Sequence, residues 1–344
     1  MVFQALTRQA VSPQFLGYDL KPHQAVVKIP EPRLTELGRI WGTRLTTPAT
    51  MEFVDIPGFD PALTEAKLKN AVLEHYRCCD ALALTVALFE PGKAEGAATA
   101  NRALLDELTL LDLVTVESVA GRLKKAAQLK ADQLSVDKYA VLTQIQARLE
   151  EGTPIRRMSL SDEQRRLTSE YGFLSDKPVI VVLNVTEDDF GKDDAALPGT
   201  TAVLKLAAQE QLGSVRLAAS LEAELAEMDE AEAPEYMAEF GISEPVLNRF
   251  IRAAYGTLGL ITFLTASDKE CRSWPLKKGS NAHTAAGVIH SDMARGFIRA
   301  ETVAFDDYVQ YGGLAGAKSA GKVRLEGKEY IVQDGDILQI RFNV

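Results

Sequence analysis

Cysteine, histidine and tryptophan are scarce in this chain: 344 residues hold three, four and two of them. Cys78 and Cys79 are adjacent and match no zinc spacing, and with Cys271 they make an odd set that cannot fully pair. Reduced thiols are therefore expected instead of a disulfide framework. His23, His75, His283 and His290 lie far apart with no HxxE or HExxH spacing, which leaves zinc or Ser-His-Asp hydrolase chemistry without its residues. No stretch approaches the roughly 20 apolar residues of a membrane span. The opening residues, MVFQALTRQA, lack the basic region, apolar core and small-residue cleavage site of an export signal. A cytoplasmic protein with no membrane partner is the expectation.

What is present is globular: 46% of residues are hydrophobic and 25% charged, enough for two or three domains. The organising stretch is Met51 to Pro61, MEFVDIPGFDP. Strand-like residues lead to Asp55, a Pro-Gly turn follows, and the result is a DxxG arrangement at the carboxyl end of a strand. In a doubly wound sheet such loops form the ligand crevice. A carboxylate there can meet a hydrated Mg²⁺ beside phosphates, and Gly58 lets the backbone approach them. An ordinary strand and turn is the alternative. Helically spaced Leu68, Val72, Leu73 and Tyr76 come next, then the apolar run Ala81 to Phe89, which reads as a buried parallel strand. Together these make a βαβ signature.

Between about Glu95 and Leu174, apolar residues such as Leu104, Leu105, Leu108, Leu142, Ile145 and Leu149 recur at helical spacing among charges, which predicts an inserted helical hairpin. The α/β pattern resumes with the β-branched run Val179 to Leu183, which ends in the polar cluster Asn184, Val185, Thr186, Glu187. Ser214 to Leu217 is a further short strand, followed by Ala219 and Ser220. The stretch Glu222 to Glu244 holds nine carboxylates and no Lys or Arg, most simply a solvated face.

These residues carry a resemblance. Met51–Gly58 (MEFVDIPG), Asn184–Asp188 (NVTED), Ala219–Leu225 (ASLEAEL), Arg249–Leu260 (RFIRAAYGTLGL), Gly287–Glu301 (GVIHSDMARGFIRAE) and Arg324–Val344 (RLEGKEYIVQDGDILQIRFNV) resemble, in order, the YchF-type subfamily of Obg-like P-loop NTPases. The resemblance implies an α/β G-type domain interrupted by a helical hairpin and completed by a C-terminal β-grasp (TGS) domain. It implies segments 1–95 and 175–258 for the two parts of the G-like domain, 96–174 for the hairpin and 259–344 for the TGS domain. It further implies a ribosome- or RNA-linked protein without DNA specificity, with ATP or GTP and Mg²⁺ as cofactors. Asp55 and Gly58 match the family's DxxG, with Asp55 as the metal residue. Asn184 and Glu187, with Val185 between them, match its NxxE, whose departure from NKxD implies adenine over guanine. Ala219 and Ser220 stand in the SAK-like position, where Ser220 replaces the Lys.

The chain departs from the family at its start. Its Gly-Lys pairs (Gly92-Lys93, Gly191-Lys192, Gly321-Lys322, Gly327-Lys328) are never followed by Ser or Thr, so no GxxxxGK[ST] loop occurs, and Val2–Thr7 resemble residues that follow that loop. Such a loop cradles phosphates, neutralises developing charge and holds Mg²⁺. Without it, a degenerate nucleotide site with weak or no nucleotide binding and no catalytic residues is expected, in a protein that binds ribosomes or RNA through its TGS and helical domains. The alternative is an active ATPase/GTPase of the subfamily represented by a truncated chain. The first strand of this fold lies at the centre of its sheet, so a rearranged sheet, a partner strand or a truncation must account for the gap. From Leu260 onward, 11 Lys+Arg against 10 Asp+Glu give a net +1, and the remainder carries −11. Strands are expected at Leu260–Leu264, Gly296–Ala304, Lys328–Val332 and Ile337–Val344, a helix at His283–His290, and independent folding of residues 258 to 344.

Overall fold

The structure is a computed structural model that describes residues 2–3, 22–43, 45–56, 66–130, 132–228, 232–240, 242 and 244–343. Its strands are β1 (His23–Lys28), β2 (Thr46–Thr47), β3 (Thr50–Asp55), β4 (Leu82–Ala87), β5 (Val179–Asn184), β6 (Gly213–Leu217), β7 (Leu260–Ala266), β8 (Cys271–Lys277), β9 (Phe297–Ala304), β10 (Arg324–Glu326) and β11 (Asp336–Phe342). The helices of eight residues or more are α1 (Arg33–Trp41), α2 (Ala66–Cys78), α3 (Ala97–Gln128), α4 (Gln133–Glu150), α5 (Thr200–Gln209), α6 (Ala219–Glu227), α7 (Val246–Thr257) and α8 (Ala282–Ile289). The chain divides into two compact units, residues 1–24 with 54–246, and residues 25–53 with 247–344.

In the first unit β4, β5 and β6 form a parallel sheet in that order, in one-to-one register from Leu82↔Val179 and from Ile180↔Gly213. β5 is the central strand, and all six of its residues are buried, as a run of Val, Ile and Leu between two neighbours requires. β4 differs from the expected buried strand: Leu82 and Val86 are buried, but Ala83 and Thr85 are exposed. The cause is topological, since among the described residues β4 pairs with β5 alone and β3 with β1 alone, in a separate two-stranded sheet. Among the described residues, no strand joins the two sheets.

The helical hairpin is present as α3 and α4. Asp132 caps α4 by accepting from the Ser135 N–H at 2.7 Å, and Gly152, with φ of 74°, follows the end of α4. Val116, Leu142, Ile145, Leu149, Ile155 and Phe173 share one buried cluster, and Leu142, Ile145 and Leu149 in it belong to the apolar stripe read from the spacing. At the hairpin base, Asp112 on α3 accepts the Leu174 N–H at 2.9 Å and the Ser175 N–H at 2.6 Å. Burial pushes its carboxyl up, and these hydrogen bonds offset part of that shift.

The second unit is a six-stranded sheet in the order β10-β9-β11-β7-β8-β2, covered on one side by α8, whose Ala282, Ala285 and Ala286 pack with Phe263 and Phe297. Its other core draws on residues outside 259–344, because Leu34 and Leu37 of α1 are buried with Leu264, Val303 and Tyr308. Thr46 and Thr47 add β2 to the edge of β8. A fragment starting at residue 258 would leave the apolar face opposite α1 uncovered. Lys328–Val332 forms no strand; only Ile331 bridges to Asn281.

Candidate functional site

In a parallel sheet the carboxyl ends of the strands lie at one edge, where side chains from several loops converge. In the first unit this edge gathers Phe89 after β4, Asn184 to Asp188 at the end of β5 and Ser220 after β6, around a cavity of about 340 Å³. That volume lies within the range of small-molecule sites.

Each lining group is set by local structure. Asn184 is the last residue of β5 and is buried, and its Oδ1 accepts the Ala219 N–H at 2.9 Å. This bond has a clear physical purpose. The residue before α6 is Ala218, whose side chain cannot cap, so a first-turn N–H that would be orphaned in the interior is satisfied from the neighbouring strand. Val185 is buried, and its N–H donates to the Leu217 carbonyl at 2.9 Å. Thr186 caps the short helix Glu187–Phe190, its Oγ1 accepting the Asp189 N–H at 3.2 Å, which places the Glu187 and Asp188 carboxylates in the first turn. Ser220 is exposed in the first turn of α6.

Of the residues singled out in the sequence, Asn184, Val185, Glu187 and Ser220 line this one cavity, and Ala219 touches it through Asn184. Asp55 does not. It lines a second cavity of about 370 Å³ beside β4, with Val54, Ile56, Leu82, Ala83 and Thr85. Burial raises the Asp55 carboxyl above its ordinary value, and the nearby His23 moderates the shift. Gly58 lies outside the described residues, as does Phe59. Sequence reading placed Thr186 in the polar cluster after β5 without a binding role, and missed Phe89 and Asp188 as lining groups. The available signal for Phe89 was its position at the end of the Ala81–Phe89 run.

A single hard oxygen donor such as Asp55 suits the one-carboxylate share of a Mg²⁺ site in which phosphates and water supply the rest. Among the described residues no group of three or more His, Cys, Asp or Glu side chains could hold a metal by itself. The donor set thus fits a cation brought with a phosphate ligand and does not fit a dedicated all-protein metal cage.

Replacing Asn184 with Ala removes the acceptor for the buried Ala219 N–H and is expected to lower stability by about 1–3 kcal/mol. Urea unfolding measures this directly; an unchanged midpoint would mean that the N–H finds another partner.

A family model described as YchF-GTPase_C, a protein of unknown function (DUF933), matches residues 260–343. The chain is 38% identical to the ribosome-binding ATPase YchF of Bacillus subtilis over 352 residues, covering all of this chain and 95% of the relative. It is 39% identical to the protein of the same name from Haemophilus influenzae over 351 residues, again with all of this chain and 95% of the relative covered. Among solved structures, that of the Schizosaccharomyces pombe YchF GTPase matches with a TM-score of 0.82 and 26% identity, covering 99% of this chain and 93% of that one.

Proposed function

Because this chain belongs to the YchF family, within the Obg-like P-loop NTPases, we propose that the protein acts at the ribosome as an ATP-binding and ATP-hydrolysing protein of the cytoplasm. The single observation that carries the reading is the cavity at the carboxyl ends of β4, β5 and β6, whose lining joins Asn184, Glu187 and Ser220.

In this reading the cavity holds the purine base. Asn184 Oδ1 is engaged by the Ala219 N–H, so Asn184 meets the base through its Nδ2 donor. A purine N7 is an acceptor of the right kind. Glu187 is a carboxylate on a side chain one methylene longer than the Asp that pairs with both guanine N–H groups, which favours adenine. Phe89 supplies an apolar flank. Asp55 is the residue that would hold Mg²⁺, through water, and Gly58 would approach the terminal phosphate. The metal, when bound, neutralises charge on the transferring phosphate. Within the chain, 1–95 and 175–258 serve as the G-like domain, 96–174 as the hairpin and 259–344 as the TGS domain through which ribosome or RNA contact is made.

A second reading, a binding protein without turnover, is favoured by the lack of any GxxxxGK[ST] loop in these 344 residues. Phosphate release from Mg·ATP by the 344-residue chain, measured with and without purified ribosomes and paired with co-sedimentation, decides between them. The expected result is co-sedimentation and ribosome-enhanced release, with ATP preferred to GTP by at least about 10-fold, or about 1.4 kcal/mol. Co-sedimentation with release no faster than background selects the second reading. Loss of both co-sedimentation and release overturns the proposal.

A further inference from the structure

We propose that the open face of β9 and β11 around Arg299, Lys318 and Arg341 is a binding surface for single-stranded RNA, with phosphates on the cations and unpaired bases on the apolar side chains beside them. This rests on the reading that residues 259–344 make the ribosome or RNA contact, and adds to it the face and the chemistry. All the residues concerned belong to the second compact unit.

Strand pairing fixes which side chains share the face. β11 runs beside β9 with Ile337↔Val303, Gln339↔Glu301 and Arg341↔Arg299, and β10 sets Leu325 opposite Glu301. Residues two apart on a strand share a face. Val303 and Ile337 are buried in one core with Leu34 and Leu37 of α1, so Glu301, Arg299, Gln339, Arg341 and Leu325 continue the α1 side of the sheet. The cover ends there, because Arg299, Leu325, Gln339 and Arg341 are exposed.

Three cations surround one carboxylate on this face. Arg341 donates from Nε to Glu301 at 2.9 Å and from Nη2 to Gln339 Oε1 at 3.3 Å. The Arg341 hydrogen bond is the largest influence holding the Glu301 carboxyl below its ordinary value, and against the effect of burial the charges of Arg341, Lys318 and Arg299 add to it. Arg299 and Lys318 make no ion pair with a described residue. The face therefore keeps a surplus of positive charge in a chain whose net charge is −10. Arg299 also stands directly across the ladder from Arg341 on the same face, where like charges destabilise a sheet. A phosphate between them relieves that repulsion, and its oxygens match the guanidinium fork.

The apolar neighbours choose among anions. Leu325 is exposed, as are Ile298 of β9 and Phe342 of β11 near the Arg299↔Arg341 pair. An acidic peptide brings carboxylates without flat apolar surfaces between them, and a duplex keeps its base faces stacked inside. Unpaired bases offer those faces to aliphatic, aromatic and guanidinium groups, so a single strand meets both parts of the surface.

The probe is a fluorescein-labelled ten-nucleotide oligouridylate, titrated into the 344-residue chain by anisotropy. A Kd of about 100 µM or tighter is expected at about 50 mM salt. Three neutralised phosphates give a log–log salt slope of about −2, so affinity should fall about 20-fold between about 50 and 200 mM salt. Removing two of the cations together, Arg299→Ala with Lys318→Ala, should bring the slope to about −0.7 and weaken binding at least about 10-fold, with thermal unfolding unchanged. Arg299→Lys, which keeps the charge, should retain most of the affinity. A duplex of the same length and a decaglutamate peptide should each bind at least about 10-fold more weakly than the single strand. Binding weaker than about 1 mM, a slope unmoved by the double variant, or a duplex or decaglutamate that binds as well as the oligouridylate would each overturn the surface. Co-sedimentation separates this from the reading beneath it. A wild-type chain that pellets with ribosomes while the double variant stays in solution is the expected result. A double variant that pellets equally overturns the surface and leaves ribosome binding standing, whereas a wild-type chain that binds oligouridylate but no ribosomes overturns ribosome binding and leaves the surface standing.

Discussion

Replacing Glu210 with Ala is expected to destabilise the first compact unit by about 3 kcal/mol, because it strands a buried cation. Glu210 follows α5, and its side chain is 6% exposed. Its carboxylate accepts from Arg102 of α3 at 2.6 Å, Arg156 at 3.1 Å and Arg157 at 3.4 Å, so one group ties the end of α5, the hairpin's first helix and the segment after its second. Arg102 and Arg157 reach solvent and can rehydrate, at 39% and 43% exposure. Arg156 cannot, at 11%, and its Nη1 makes only a long contact to the Ser175 carbonyl at 3.5 Å. Removing the acid leaves that guanidinium buried and uncompensated. The midpoint of urea unfolding should fall accordingly, with Glu210→Gln intermediate; a loss below about 1 kcal/mol would mean that water takes the place of the carboxylate.

The same cluster sets a pH dependence. Burial, the largest influence, pushes the Glu210 carboxyl up, but the hydrogen bond and charge of Arg102, joined by Arg157 and Arg156, more than reverse it and hold the group below its ordinary 4.5. A carboxylate whose folded pKa is depressed contributes stability above its unfolded pKa and loses it as pH falls through the folded value. Stability should therefore decline from about pH 4.5 downward, and Glu210→Gln should flatten that decline.

Leu142→Ala is expected to cost about 2–5 kcal/mol, and to do so within the hairpin. Leu142 is fully buried on α4 and packs in the cluster of Val116, Ile145, Leu149, Ile155 and Phe173. Close packing on every side limits collapse around the lost methyl groups, so a cavity term adds to the transfer term. Hydrogen exchange across Val141–Leu149 should accelerate, whereas residues 260–343, which build separate cores around Phe263 and Leu264, should keep their protection. Equal acceleration in both regions would mean that the two units unfold as one.

Local chemistry made much of this protein legible in its sequence. Five consecutive apolar residues, Val179 to Leu183, specify β5 because a strand between two neighbours has no wet face. The spacing of Leu142, Ile145 and Leu149 specifies α4 because only one helical stripe can meet α3. The cluster at Asn184, Val185 and Glu187 stood out because polar residues at the end of such a strand have few reasons to be there, and they do line a cavity. Tertiary structure decided the rest. β8 was hidden because Pro275 reads against a strand; the fold admits it where β8 has β7 on one side and meets β2 only at Cys271 and Arg272. Lys328–Val332 has strand-like residues but no continuous partner, and pairing is a property of two segments. Leu34 and Leu37 carry no mark in the sequence that assigns them to a core more than 200 residues away. The same holds for Asp55 and Asn184, each at the end of its own strand but divided between two cavities: their residue types followed from the chain, while their separation followed from two sheets that no strand joins among the described residues.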